Sequence, residues 1–152
     1  MDSSCKEKIL LEIGKIDNLV EKSSVLLEKC KISEPDFIEL NAIGSVLHSF
    51  YNGIESIFKL IYKSYSQRPL TSGMWHSELL AEMFTTFEDG SSVLNQNLLP
   101  DLKNYLGFRH VFRHSYGYEM DWARLEPLFK NMKNVWSDVK TCFLIFIDKK
   151  EI

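Results

Sequence analysis

Apolar residues recur every three or four positions through almost the whole chain, and no run alternates long enough to make a strand. Ile9, Ile13, Ile16, Val20 and Leu27 share one helical face and predict a first helix over residues 3–30. The stretch "KISEPDF" reads as a restart: Ser33 is the expected cap, Pro35 suits a first turn, and Asp36 falls near the positive end of the new helix dipole. Ile43, Val46, Leu47, Phe50, Ile54, Ile57, Phe58, Ile61 and Tyr65 carry this second helix to about residue 66, leaving only a narrow wet side. "SQRPLTSG" is a loop punctuated by Pro69 and Gly73. A shorter third helix turns Trp75, Leu79, Leu80 and Met83 inward and is expected to stop near "EDGSS". Pro100 opens a fourth, with Leu102, Tyr105, Leu106, Phe112 and Tyr116 on its apolar side and Gly117 at its end. Asp121 caps the last helix, in which Leu125, Leu128, Phe129, Met132, Val135, Trp136, Val139 and Phe143 form a stripe and Pro127 lies in the first turn or two. Five helices with short connections predict an all-α, up-and-down bundle, and residues 1–152 read as one domain without repeats or linkers.

Composition narrows the class. Apolar residues make up 45% and aromatics 12%, which excludes a disordered chain. Cys5, Cys30 and Cys142 are widely spaced and odd in number, so neither a disulfide framework nor a zinc knuckle fits, and a reducing compartment is expected. The N-terminus lacks a signal-peptide core, and the run "CFLIFI" is far too short to span a membrane. A soluble, cytoplasmic protein with no membrane partner is the expectation. A net charge of −3 argues against coating nucleic acid through an overall field. The charge is uneven, however. Residues 1–60 hold seven Lys and Arg against ten Asp and Glu; residues 101–152 hold nine against seven.

The cations and titratable groups concentrate in "FRHVFRHSYGYE", Phe108 to Glu119, with two arginines, two histidines and two tyrosines in twelve residues. Arg109 and Arg113 are four apart, as are His110 and His114, so each pair shares a helix face. Arg109 and His114 are separated by about 140° around a straight helix. A distorted last turn, the reach of arginine, or a second copy across a two-fold axis would bring them together, which is a reason to expect a dimer if the pair is functional. Three readings compete. Arg and His near a helix C-terminus complement its dipole. His110 and His114 form an i,i+4 pair that suits a metal, but no H-E-x-x-H pattern or cysteine supplies further ligands. A phosphoryl-transfer site uses histidine for proton transfer near neutrality and arginine for a phosphate that gains charge in the transition state.

The order Arg109, four residues, His114, one residue, Tyr116 resembles the R-x-x-x-x-H-x-Y signature of the HEPN ribonuclease superfamily. More narrowly, the chain is similar to HepT toxins, which are encoded beside a minimal nucleotidyltransferase antitoxin. "SVLHSFYNGIESIFKLIYK", "WHSELLAEM" and "LGFRHVFRHSYGYEMDW" carry the likeness, in that order, across roughly residues 40–145.

This resemblance implies a helical homodimer whose two motifs line a shared cleft and cleave RNA without a metal or other cofactor, the ribose 2′-hydroxyl attacking the adjacent phosphorus. His114 then moves a proton as general acid or base, and Arg109 holds the phosphate. HEPN proteins often carry a polar residue directly after the arginine; His110 stands there and shares the acid-base work in a division the motif leaves open. An acidic residue on the second helix commonly supports the site, and Glu55 is the candidate, against the plain alternative of an exposed helix carboxylate. The resemblance also implies silencing, in which the antitoxin transfers AMP from ATP to Tyr116, with Tyr118 as fallback acceptor or as an anchor for the turn.

Other residues divide between roles. Arg113 shares the face of Arg109 and holds a second phosphate or is simply solvated. His48 and His76, among apolar neighbours, read as packing; so does "YNG", where Gly53 permits close helix approach. Trp75, Trp122 and Trp136 read as core before base-stacking platforms. Lys130, Lys133 and Lys140 mark a wet face first and an RNA track second. An acidic protein with a small cationic cleft favours a structured substrate such as tRNA. The rivals to a toxin ribonuclease are a non-catalytic helical module that docks a nucleotidyltransferase, and a structural protein with an incidental basic turn.

Overall fold

The structure, a computed structural model, describes residues 1–116 and 119–150. It contains α1 (Ser3–Cys30), α2 (Phe37–Tyr65), α3 (Trp75–Glu82), α4 (Leu99–His114) and α5 (Trp122–Lys149), with a 3-10 turn at Gln96–Leu98 leading into α4. No strand occurs among the described residues.

Side-chain chemistry sets the helix starts. Asp2 accepts from the Cys5 amide (2.7 Å) to cap α1, and Asp121 accepts from Ala123 (3.1 Å) to cap α5. The cap of α2 is Asp36, not Ser33 as the sequence suggested. Asp36 Oδ1 accepts from the Glu39 amide (2.8 Å) while Glu39 Oε1 accepts from the Asp36 amide (3.1 Å), a reciprocal box that Ser33 does not form because its own amide goes to the Lys29 carbonyl (3.2 Å) and the Asp36 amide to Glu39. Pro35 accordingly sits before the helix.

Helix α2 is the axis of the bundle. Its predicted stripe is buried from Ile43 to Ile61 apart from the half-buried Val46, and Tyr65 at its end is exposed. Antiparallel α1 runs along one side, tied by the Cys5 thiol to the Leu60 carbonyl near one end and by Lys29 to Glu39 (3.0 Å) at the other. Helix α4 runs antiparallel to α2, with Phe50 against Tyr105 and His48 against Phe112. Helix α5 lies parallel to α2, with Phe50 against Trp136 and Phe58 against Phe143. The four long helices thus go up, down, up and down, with α3 a short insertion beside α2. Asp17 of α1 closes the ring: it accepts from Trp136 Nε1 (2.8 Å) and Lys140 Nζ (2.7 Å) of α5. Burial pushes the Asp17 carboxyl up, but those two hydrogen bonds outweigh it and hold the group below the usual carboxylate range. Trp136 is thereby core, and Lys140 joins helices.

Two boundaries differ from the sequence reading. Helix α3 ends at Glu82, ahead of "EDGSS", because the chain folds back at once. The Met83 carbonyl takes the Leu94 amide (2.9 Å), the Phe84 carbonyl takes Gln96 Nε2 (2.8 Å), and Gly90 makes the return turn with φ of 80°. Helix α4 ends at His114, so Tyr116 lies beyond its cap, Ser115, and is exposed rather than part of the apolar side. Gly117 and Tyr118 lie outside the described residues. No helix among the described residues is long and apolar enough to cross a membrane.

Gly53 marks the closest approach of α1 and α2. A Cβ there would lie 2.8 Å from Ile16 Cγ1, inside any normal contact, and Ile16 is itself buried. Gly53→Ala is expected to lower stability by about 1–3 kcal/mol, the cost of overpacking a filled core. Chemical denaturation checks this; an unchanged midpoint would show that the two helices are not locked at Gly53.

Candidate active site

The narrow wet side of α2 explains where the site lies. His48, Asn52, Glu55 and Lys59 follow one another at three- and four-residue steps, with Ser56 beside Glu55, and draw a polar line along a largely apolar helix. Helices α3 and α4 pack on either side of that line. Asn52, Glu55, Lys59, Trp75, His76, Arg109 and Arg113 line one groove between the three elements.

Arg109 reaches this groove from α4 and donates from Nε to Asn52 Oδ1 (3.0 Å). Because Asn52 accepts through its oxygen, its amide nitrogen must donate, and it does so to His48 Nε2 (3.0 Å). His48 must therefore be neutral, with its proton on Nδ1. Burial first, and then the positive charges of Arg109 and Arg113, push the His48 pKa down, which favours the neutral ring. His48 also stacks on Phe112 (centroids 4.7 Å apart), so the packing role expected for it holds alongside a polar one. The Arg109 Nε bond leaves both terminal guanidinium nitrogens for a ligand. Of the described residues, no carboxylate forms an ion pair with Arg109 or Arg113.

Glu55 is 3% exposed, which overturns the reading of it as an exposed helix carboxylate. Its Oε2 accepts from His76 Nδ1 at 2.6 Å, and Lys59 Nζ lies 3.8 Å from Oε1. The buried carboxylate is thus satisfied by two basic groups while it faces the groove that Arg109 enters. Close behind it, Tyr51 is fully buried, and burial raises its phenol far above the ordinary tyrosine range. Its hydroxyl has no hydrogen-bond partner among the described residues, nor has His48 Nδ1.

The histidines of the motif take a different direction. His110 and His114 are exposed on the outer side of α4, with ring centroids 4.6 Å apart. His110 and Arg109 line a second groove, between α3 and α4, together with His76 and Lys103. His114 sits one turn further on and about 140° around the helix from Arg109. One chain therefore brings Arg109, Arg113, Glu55 and His76 together and leaves His114 beside His110 at the edge. Tyr116 follows two residues later and is 69% exposed. Among the described residues, no three His, Cys, Asp or Glu side chains gather in a metal-binding group, so the His110–His114 pair has no third ligand there.

Sequence reasoning set aside two residues that the structure places in the groove. Asn52 was read as packing and in fact orients Arg109; His76 was read as packing and in fact meets Glu55. The signal for both lay in the interrupted stripe of α2, where a largely apolar helix keeps polar residues at 48, 52, 55 and 59.

Comparison with known proteins bears on the same residues. No curated protein and no solved structure matches the chain. The family described as HepT-like protein matches residues 42–150, which takes in nearly all of α2 and everything from α3 to α5, and so the whole of both grooves. The chain belongs to the HepT-like family of the HEPN superfamily.

Proposed function

We propose that the protein is a metal-independent ribonuclease of the HEPN type, acting as a homodimer, and a toxin that is silenced when a nucleotidyltransferase antitoxin attaches AMP to Tyr116. The observation that carries the reading is the state of Arg109. A guanidinium at the motif position is fixed through Nε by Asn52, lacks a carboxylate partner among the described residues, and stands at the mouth of a groove. A carboxylate would neutralise Arg109; a neutral acceptor orients it and leaves its charge for an anion.

The chemistry follows from what these groups do best. Arg109 and Arg113 hold the non-bridging oxygens of a phosphodiester and stabilise the charge that builds on them. One imidazole takes the proton of the 2′-hydroxyl, O2′ bonds to phosphorus, and the bond from phosphorus to O5′ breaks. A second imidazole, or the same one in a later step, protonates the departing O5′. The products are a 2′,3′-cyclic phosphate and a free 5′-hydroxyl. His114 and His110 supply the imidazoles, and His114 reaches the phosphate held by Arg109 most readily from a second subunit. Glu55 orients His76 at the floor of the groove, and Lys59 beside it offsets its charge.

The silencing step suits the place of Tyr116. An exposed phenol past the end of α4 is accessible to a transferase. The bond formed joins the tyrosine oxygen to the α-phosphorus of ATP, and pyrophosphate leaves. The added nucleotide brings negative charge and bulk beside the motif that must receive an RNA phosphate, and competes with it.

Expressed alone in a bacterial host, the wild type is expected to arrest growth and to leave RNA fragments ending in 2′,3′-cyclic phosphate. Arg109→Ala and His114→Ala should each reduce cleavage at least 100-fold, within the usual range for loss of a charge-stabilising or acid-base group. Asn52→Ala should reduce it by about 10-fold, because the guanidinium loses its orientation but not its charge. Equal growth of wild type and His114→Ala would point to a docking module. With the antitoxin and ATP, intact mass should rise in steps of one AMP, and Tyr116→Phe should remove the step; a persistent rise would move the acceptor elsewhere.

A further inference from the structure

Lys59 and Trp75, which line the groove that holds Arg109, also line a second cavity of about 540 Å³. Tyr62, Pro69 and Leu70 give this cavity an apolar wall; Lys63 and Arg68 stand at it, and no carboxylate lines it. In a chain of net charge −3, three cations around an aromatic hollow are a local exception. Arg68 has a loose partner in Glu82 (3.5 Å), and Lys63 is exposed. Lys59 holds its ammonium 4.5 Å over the Trp75 ring, so that a cation now occupies a place where a flat ring can stack. His76 stacks on the same indole with centroids 3.5 Å apart and fixes its orientation.

We propose that this cavity is a nucleotide subsite of the nuclease groove, taking one unpaired nucleotide of the substrate RNA next to the scissile linkage. The proposal rests on the ribonuclease reading of Arg109 and adds to it the form of the substrate. The base stacks on Trp75 against the wall of Tyr62, Pro69 and Leu70, and its phosphate lies on Lys63 and Arg68. The base displaces Lys59 from the indole face towards Glu55, its ion-pair partner (3.8 Å). Stacking tolerates any base, so the subsite selects an unpaired segment before it selects a sequence. Within a structured RNA, cleavage would therefore fall in a loop or at an end, because a paired base cannot enter the cavity.

Binding and cleavage separate the two claims. A 2′-O-methyl RNA 12-mer has no attacking hydroxyl, so its affinity can be measured with the intact protein by fluorescence anisotropy. Lys63→Ala with Arg68→Ala should weaken binding by about 10-fold at low salt, as expected for losing two phosphate contacts. Lys22→Ala with Lys31→Ala, at the far end of the α1–α2 pair, should change it by less than about 2-fold. Binding should quench tryptophan emission, and Trp75→Phe should remove most of the quench. Equal weakening by both double variants, no binding by the wild type, quenching that survives in Trp75→Phe, or equally good displacement by a poly-glutamate peptide would each overturn the subsite. RNA that binds in this way without being cut would leave the subsite standing and remove the nuclease reading. RNA that is cut while Lys63 and Arg68 prove indifferent would do the reverse.

Discussion

The hydrogen bond from Arg109 Nε to Asn52 Oδ1 ties α4 to the central helix and decides what the motif can do. From Phe50 to Tyr62 no residue of α2 is exposed, so a polar group on that stretch must be matched by a neighbour or cost several times what a matched one does. Asn52 meets that demand from both ends, accepting from Arg109 and donating to His48, and Glu55 meets it with His76 and Lys59. The polar line on α2 thereby fixes the direction of a guanidinium, the tautomer of a histidine and the position of α3 together. A neutral acceptor orients Arg109 without consuming its charge, as a carboxylate would.

The fold was readable because its signals are local and repeated. Stripes at helical spacing gave all five helices, and the predicted core of α5 from Leu125 to Phe143 is buried with Leu128 alone half-buried. Boundaries were less legible where tertiary contacts compete with local ones. Ser33 is a good cap in isolation, but the reciprocal exchange between Asp36 and Glu39 needs both partners and wins. The early end of α3 depends on Leu94 and Gln96, more than ten residues downstream, taking the carbonyls of Met83 and Phe84 just past its last turn.

The site was legible by type and not by partnership. The motif pointed to Arg109, His114 and Tyr116, and the acidic place on the second helix pointed to Glu55. Spacing alone could not say that Glu55 is buried, since an isolated carboxylate in a helix is usually wet. Nor could it find the match across twenty-one residues between Glu55 and His76. That contact forms only once α3 has packed on α2. Likewise, the use of Asn52 is set by a residue fifty-seven positions away. What the sequence did anticipate is the split between the two faces of α4: Arg109 turns in towards α2, and His114 stays at the outer edge beside His110.

That split is the centre of the account, because the proposed catalytic pair points two ways in one chain and would be completed by a second. Mixing Arg109→Ala with His114→Ala subunits, after unfolding and refolding them together, tests this directly. If Arg109 of one subunit works with His114 of its partner, half the dimers are mixed and each holds one complete site, so two inert variants should recover on the order of a quarter of wild-type cleavage. If the mixture stays as inactive as either variant alone, although exchange of subunits is demonstrated, the two groups do not cooperate across a dimer and the account is wrong.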